Sequence, residues 1–77
     1  MGSSLADLKP GDRARVIRFD DRGPLSQRIM TLGLLEGSEV QVIRRAPAGD
    51  PMEIRVMDYA LSLRRDEART IQVELLS

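Results

Sequence analysis

Apolar and polar residues alternate along several short segments of the chain, and such alternation is typical of strands that bury one face. The clearest segment is 52–57, in which Met52, Ile54 and Val56 share one face. The other alternating segments are 13–19, 39–45, a short one with Leu61 and Leu63 inward, and 71–75 with Ile71, Val73 and Leu75 inward. The pattern therefore predicts five short strands, and short strands between closely spaced turns favour a small barrel.

The first predicted strand, Arg13–Phe19, changes face halfway along. Ala14 and Val16 lie on one face of an ideal strand, whereas Ile17 and Phe19 lie on the other. Strands that turn a barrel corner often contain a bulge, which moves the following side chains to the opposite face. We therefore predict a β-bulge near Val16 and Ile17.

One segment has the spacing of a short amphipathic helix. Leu25, Ile29 and Leu32 recur at positions i, i+4 and i+7, and Pro24 suits the first helical position. Gly33 suits a left-handed cap at the helix end. A helix this short does not persist alone in water, so we expect it to pack on the barrel and cover one open end.

Proline and glycine mark the turns between these elements. Pro10 and Gly11 fit the second and third positions of a type II turn. A tight reversal is expected at Asp58 and Tyr59, and residues 65–68 suit a single helical turn. The remaining structural turn positions are Gly33, Gly37, Gly49 and Pro51.

Length and composition indicate one small domain. The chain has 77 residues, of which 42% are hydrophobic and 31% charged, and its net charge is zero, as in an ordinary soluble globule. The domain is expected over residues 5–76, and Met1 to Ser4 are left out as either disordered or not native. No apolar stretch is long enough to cross a bilayer, and the N-terminus does not resemble a secretory signal. The predicted location is therefore cytoplasmic.

The residue types present exclude most catalytic and metal chemistry. The chain has no histidine and no cysteine, the groups that most often move protons near neutral pH or bind soft metal ions. The adjacent Asp20 and Asp21 are interpreted as turn residues. The glycines stand singly at turns and form no phosphate-binding loop. We therefore predict no enzyme, no catalytic residues, no cofactor and no metal site within one chain.

The alternation pattern does not assign several apolar residues to the core. They are interpreted as candidate partner-binding residues, namely Met30, Leu34, Leu35, Ile43 and Met57. Met30 and Leu35, on or just after the helix, are the best of these candidates. The opposing interpretation is that single exposed hydrophobic residues are ordinary and that Leu34 packs beneath the helix cap. The sequence leaves both interpretations open.

Nucleic-acid binding through arginines on the predicted strands is a weaker alternative. Zero net charge removes the long-range attraction to phosphates. Phe19 and Tyr59 are the only aromatic residues. Proteins that bind single-stranded nucleic acid stack bases on several aromatic side chains, and two are too few if one of them packs in the core. We therefore expect no nucleic-acid partner. The arginines in question are Arg13, Arg15, Arg44, Arg55 and Arg64.

The ordered set of motifs extends over nearly the whole chain. Its members are Leu5, Leu8, Pro10, Gly11, Ala14 and Val16; Arg28-Ile29, Leu32-Gly33-Leu34, Gly37 and Val40; Ala46-Pro47 and Gly49-Asp50-Pro51; Tyr59, Leu61, Leu63-Arg64, Glu67-Ala68, Ile71 and Val73. This set resembles the FeoA family, the small ferrous iron transport protein A domain. Glu36 stands where that family commonly has proline, and Asp58 where it commonly has glycine. Because Asp tolerates the left-handed conformation, we expect Asp58 to adopt it.

The resemblance implies a mostly β fold, an SH3-like five-stranded barrel with one capping α-helix. It implies a cytoplasmic accessory of bacterial ferrous iron uptake that docks on the cytosolic, GTPase-bearing region of the FeoB membrane transporter and modulates it. The resemblance also implies transition metal ion binding as a property of the family, and no residue of this chain is assigned to it. Docking is expected through the helix and the Leu34-Leu35 loop, without membrane insertion. The alternative is a regulatory interaction domain like those of metal-dependent repressors, and the oligomeric state stays open.

Overall fold

The computed structural model describes residues 3–20 and 23–76. Met1 and Gly2, and Asp21 and Arg22 of the loop after the first long strand, lie outside the described residues. The elements in chain order are β1 (Ser3–Ser4), β2 (Arg13–Phe19), α1 (Pro24–Thr31), β3 (Glu39–Arg45), β4 (Met52–Val56), β5 (Tyr59–Leu63), α2 (Arg65–Arg69) and β6 (Ile71–Leu75), with a 3₁₀ turn at Leu5–Asp7.

The six strands found among the described residues form one antiparallel sheet in the order β1-β6-β2-β3-β4-β5. Buried residues from all five longer strands belong to one core cluster, in a molecule that measures 28 × 25 × 24 Å. The sheet is therefore strongly curled around its own interior. This confirms the predicted mostly β architecture, with the five expected strands and one additional two-residue strand, β1.

Two β-bulges bend the sheet. The register of β2 against β6 shifts between Val16 and Arg18, which confirms the bulge predicted from the change of face. A second shift occurs between Val42 and Arg44 on β3. Ile17 and Ile43, the residues at the two shifts, are exposed, and in a bulge the extra residue is left unpaired in the ladder.

The interior is filled mainly by alternate residues of the strands. Leu5 and Leu8 close it from the N-terminal side, Ile29 of α1 and Ala68 of α2 are also buried in it, and Phe19 packs against its margin. The buried apolar residues of the strands are Ala14, Val16, Val40, Val42, Met52, Ile54, Val56, Leu63, Ile71 and Val73.

Two side-chain cations hold the peripheral elements to each other. Arg45, at the end of β3, donates hydrogen bonds to the carbonyl oxygens of Leu8, at 2.8 Å, and of Ala6. Arg28 of α1 forms an ion pair with Glu67 of α2, and the Glu67 carboxylate also accepts the backbone N–H of Arg64 at 2.9 Å. The N-terminal turn and the two helices are thereby fixed relative to the sheet.

Three details of the sequence interpretation are wrong. Ser3–Ser4, left out of the expected fold, pairs with β6 through Ser3 opposite Val73. Leu32 is exposed because α1 ends at Thr31 and Leu32 is its C-cap. Leu75, expected to point inward, is 56% exposed.

The predicted turn glycines Gly11, Gly33, Gly37 and Gly49 all have positive φ, between 88° and 98°. The hairpin between β4 and β5 differs from expectation, because Met57, with φ of 57°, and not Asp58, has the left-handed backbone. No helix within residues 3–20 and 23–76 is long and apolar enough to span a membrane.

Candidate docking surface

An open groove of about 650 Å³ lies beside the outer face of the sheet. Its apolar wall consists of Leu35, from the loop after α1, and Met57, from the β4–β5 turn. Its polar wall includes Arg13, Glu39 and Arg55. Leu35 is 54% exposed and Met57 is 84% exposed, so two large apolar side chains from separate loops border one concave surface.

The loop that carries Leu35 is held by backbone hydrogen bonds. The Leu35 N–H donates to Ser38 Oγ at 3.1 Å, and the Ser38 N–H donates to the Leu35 carbonyl oxygen at 3.0 Å. The Gly37 N–H reaches the carbonyl oxygen of Val16 at 2.8 Å, which ties the loop to β2. Leu34, immediately before, is fully buried and anchors the loop in the interior. Leu35 therefore projects from a fixed backbone.

Met57 has a conformation that its residue type disfavours. Its φ of 57° lies in the left-handed region, which costs a residue with a Cβ about 1–2 kcal/mol. Strained residues persist where the surrounding structure determines them, and they occur preferentially at functional sites. An exposed, unbranched apolar side chain is thus held at the tip of a hairpin next to Leu35.

A single side chain joins the two loops. The Tyr59 hydroxyl donates a hydrogen bond to the carbonyl oxygen of Leu32 at 2.9 Å. The hydroxyl also lies over Gly33, where an added Cβ would be 2.3 Å from the Tyr59 oxygen. Because Tyr59 directly follows the Met57 turn and Gly33 directly precedes the Leu34-Leu35 pair, this contact fixes the spacing between the two apolar residues of the groove.

The charges around the groove are only partly paired. Arg13 and Arg15 share Glu39, with N···O distances of 3.6 and 3.5 Å, and Arg15 also lies 3.8 Å from Glu74. Arg55 forms no ion pair with any residue in the described part of the chain. Exposed pairs of this kind stabilise a protein by at most about 1 kcal/mol, so these side chains are free to rearrange against a partner.

The structure brings together only some of the predicted partner-binding residues. Leu35 and Met57 share the groove, whereas Met30 and Ile43 are exposed but do not line it. Leu34 is 0% exposed, so the expectation that it belongs to a docking surface is wrong. The chain turns inward directly after the helix cap and places Leu34 beneath it.

Sequence reasoning missed the polar wall of the groove. Arg13 of β2 pairs with Gln41 of β3, and Gln41 pairs with Arg55 of β4, so the three residues form one row across the outer face. Alternation assigns each of them to the outside. Only the strand register places them side by side, and the register cannot be deduced from the pattern of apolar and polar residues.

Three of the five arginines considered for nucleic-acid binding pair with carboxylates, whereas Arg55 and Arg64 form no ion pair with another described residue. Arg44 pairs with Glu53 at 2.8 Å, and Arg13 and Arg15 pair with carboxylates on neighbouring strands. Within the described ranges, no three acidic side chains gather in a way suited to a metal ion.

Comparison with known proteins gives a consistent picture. The family model for the FeoA domain matches residues 3–75. The chain is 42% identical over 73 residues to an Fe(2+) transport protein A/Fe(2+) transporter FeoB fusion protein of Porphyromonas gingivalis, and the match spans 95% of this chain but 9% of that protein.

Solved structures agree with the family model. The NMR structure of an FeoA-like protein from Clostridium acetobutylicum is 34% identical, with a TM-score of 0.93, and the match covers 99% of this chain and 88% of that one. FeoA of Stenotrophomonas maltophilia, solved in complex with zinc and described as a prokaryotic SH3 domain protein, is 27% identical with a TM-score of 0.80, over 92% of this chain and 88% of that one. The predicted SH3-like fold is confirmed. Because the family model covers the chain almost from end to end and solved relatives share its fold, the chain belongs to the FeoA family.

Proposed function

We propose that this chain is a cytoplasmic accessory of ferrous iron uptake that docks on the cytosolic, GTPase-bearing region of a FeoB-like transporter and biases its conformation. The proposal is supported by a relative in which a protein of this kind and a FeoB transporter form one chain. Fusion of two domains keeps them at a high local concentration, which favours their interaction. The proposal assigns no reaction to the chain itself.

The observation that carries the proposal is the groove bordered by Leu35 and Met57. Apolar anchors that enter a partner's pockets account for much of the binding energy of protein interfaces. Met57 is 84% exposed, with a positive φ that the two-residue hairpin turn requires, and its side chain is not part of the core. A partner that covers Met57 and Leu35 would remove both apolar side chains from water.

Met30 and Ile43 are assigned a smaller part in this contact. Met30 lies on α1, close in sequence to the Leu35 loop, and Ile43 lies at the second bulge. Neither lines the groove. Replacing either residue alone is therefore expected to weaken docking less than replacing Leu35 or Met57.

The test is the affinity of the purified chain for its transporter, reconstituted whole in lipid nanodiscs. A Leu35→Ser, Met57→Ser double variant is expected to bind at least about tenfold more weakly, since each removed anchor contributes about 1 kcal/mol or more. Leu75→Ser is the control, because Leu75 is 56% exposed, close to the 54% of Leu35, and lies on a different element. Equal affinities for the double variant and the wild type would contradict the proposed surface.

GTP turnover by the same transporter provides the second measurement. Saturating amounts of the chain are expected to change the turnover rate, and the double variant is expected to need a correspondingly higher concentration for the same change. Binding without any effect on turnover would restrict the function to anchoring. Salt-sensitive binding to RNA or DNA, with no binding to the transporter, would favour the nucleic-acid alternative instead.

A further inference from the structure

Strand β5 is an open edge of the sheet. It pairs with β4 from Val56 opposite Tyr59 to Met52 opposite Leu63, and it is the last strand in the sheet order. No strand lies on its other side within residues 3–20 and 23–76. In an antiparallel strand, alternate residues direct their N–H and C=O groups to opposite sides, so part of the β5 backbone faces outward without a strand partner.

This edge lacks the usual protection against pairing. Natural edge strands carry charges, prolines or bulges that keep other strands away. The five residues of β5, Tyr59–Leu63, include no charged residue and no proline, and their register against β4 is regular. Every other strand longer than two residues in the described chain contains at least one Arg or Glu. Its outward side chains, Ala60 and Ser62, are small and exposed.

The residues that flank the edge have opposite charges. Asp58 precedes β5 and Arg64 follows it, and both are exposed. Neither side chain forms an ion pair with another described residue. Residues two apart lie on the same face of a strand, so Ala60 and Ser62 share the outer face. Asp58 lies in the turn at one end of β5, and Arg64, the N-cap of α2, lies at the other end.

We propose that β5 pairs in antiparallel fashion with β5 of a second copy of this chain, around a two-fold axis at Leu61. In this register Ala60 lies opposite Ser62 of the second copy, and Asp58, just before β5, lies at the end of the pair where Arg64 of the second copy follows its β5. The two-fold axis repeats both pairs. Opposite charges on facing positions stabilise a sheet and like charges destabilise it, so the edge is complementary to itself in this register.

This charge arrangement favours a second copy of the chain, and not a strand of another protein, as the partner of β5. A self-pairing edge needs opposite charges at equal distances from its centre, and Asp58 and Arg64 each lie three residues from Leu61. Moving the axis by one residue, to Ala60, would place Asp58 opposite Ser62 of the second copy. Arg64 would then extend past the hairpin turn of the second copy, because the chain before that turn belongs to β4. The charges therefore select one register as well as one occupant.

The resulting dimer is a weak one. Two five-residue strands bury less surface than the roughly 1,600 Å² of a standard stable interface. Pairing is thus expected at high protein concentration or where copies are held close together. Leu35 and Met57 are not among the residues that pair in this register, but Met57 directly precedes Asp58.

The test is sedimentation equilibrium of the full chain over a concentration series, with three variants. Asp58→Arg places two arginines opposite each other at both ends, and Arg64→Asp does the same with two aspartates. Each is expected to weaken association about tenfold, while the double variant Asp58→Arg, Arg64→Asp is expected to return to within about twofold of the wild type. Glu36→Arg and Lys9→Asp are controls with the same charge changes outside the edge, and they are expected to associate like the wild type.

Amide hydrogen exchange locates the contact. The outward N–H groups of β5 are expected to exchange more slowly as the protein concentration rises, whereas the amides of Leu35 and Met57 are expected not to change. A chain that stays monomeric at every concentration, or a double variant that associates no better than the single variants, would overturn the proposal. Far-UV circular dichroism verifies that each variant is folded, and should Asp58→Arg fail to fold, the Arg64→Asp and Lys9→Asp pair decides. No transporter is present, so the result does not depend on the proposed function.

Discussion

The Tyr59 hydroxyl and the Leu32 carbonyl oxygen form a hydrogen bond of 2.9 Å between the start of β5 and the C-cap of α1. The bond connects residues that are 27 positions apart in sequence. It holds the β4–β5 hairpin against the end of the helix, and the same hydroxyl occupies the space above Gly33. The geometry of the groove depends on this contact, because Met57 and Leu35 lie on either side of it.

Gly33→Ala is expected to destabilise the protein more than Gly37→Ala. Both glycines have a left-handed backbone, with φ of 98° and 90°, so both substitutions cost about 1–2 kcal/mol from the backbone. A Cβ at position 33 would also displace the Tyr59 hydroxyl, whereas a Cβ at position 37 meets nothing within 4 Å. The lost hydrogen bond adds about 1 kcal/mol. Urea unfolding of both variants measures the difference.

The origin of that difference is checked by a double-mutant cycle. In a Tyr59→Phe background the hydroxyl is absent, so Gly33→Ala and Gly37→Ala are expected to have nearly equal costs. An excess cost at position 33 that persists in this background would show that the hydroxyl is not responsible.

Met57→Gly is expected to stabilise the fold and to weaken docking. Glycine accepts the left-handed backbone without the steric cost of a Cβ, so the free energy of unfolding is expected to rise by about 0.5–1 kcal/mol. The exposed apolar anchor is lost in the same variant, and the affinity for the transporter is expected to fall. Thermal unfolding and binding are measured on the same preparation.

Asp58→Gly is the control for this prediction. Asp58 does not have the left-handed backbone, so glycine at this position removes no backbone strain. It lowers the stability by up to about 1 kcal/mol through chain entropy. Stabilisation by Asp58→Gly, in place of Met57→Gly, would indicate a different hairpin conformation from the one described.

Arg28→Ala is expected to destabilise the protein by about 2 kcal/mol, because it leaves a buried carboxylate without its cation. The Glu67 side chain is only 4% exposed, whereas that of Arg28 is 60% exposed, so the expected loss is smaller than for a fully buried pair. Arg69→Ala removes an exposed pair with Asp66, 3.8 Å long, and is expected to cost less than about 0.5 kcal/mol. Chemical denaturation measures the free energy of unfolding of both variants. Equal losses of stability would contradict a larger contribution from the Arg28–Glu67 pair.

Arg45→Lys is expected to cost about 1–2 kcal/mol, because a single ammonium does not reproduce the planar donors that reach the carbonyl oxygens of Ala6 and Leu8. Arg44→Lys is the comparison one residue earlier. Arg44 is 77% exposed and pairs with Glu53 on the surface, so its replacement is expected to change stability by less than about 0.5 kcal/mol. Hydrogen exchange of the N-terminal turn is expected to accelerate only in Arg45→Lys.

The sequence was sufficient for features that depend on local patterns. The change of apolar face in Arg13–Phe19 indicated the bulge, and the turn glycines adopt the predicted positive φ. For Leu34 the sequence left a docking role and packing beneath the helix cap both open, because no periodicity continues through the turn after Gly33. The structure buries it. β1 was missed because Ser3–Ser4 has no apolar pattern and is recruited by β6 alone.

The candidate docking surface was predictable only in part. Exposed Leu35 and Met57 were identified as residues without a place in the core, but they lie on separate loops and meet through the fold. The row of Arg13, Gln41 and Arg55 depends on the register of three strands. Such long-range juxtapositions depend on the packing of the whole barrel, so no local window of the sequence contains them.

Leu34 and Leu35 are chemically identical neighbours, yet one is fully enclosed and the other is 54% exposed. An insertion of one residue between Gly33 and Leu34 would shift Leu34 out of its buried position and move Leu35 along the loop, away from the groove. The length of this connection is therefore constrained more strictly than the identity of its exposed residue. Variants of this chain that recognise a different transporter are expected to replace Leu35 while keeping the residue count of the loop unchanged.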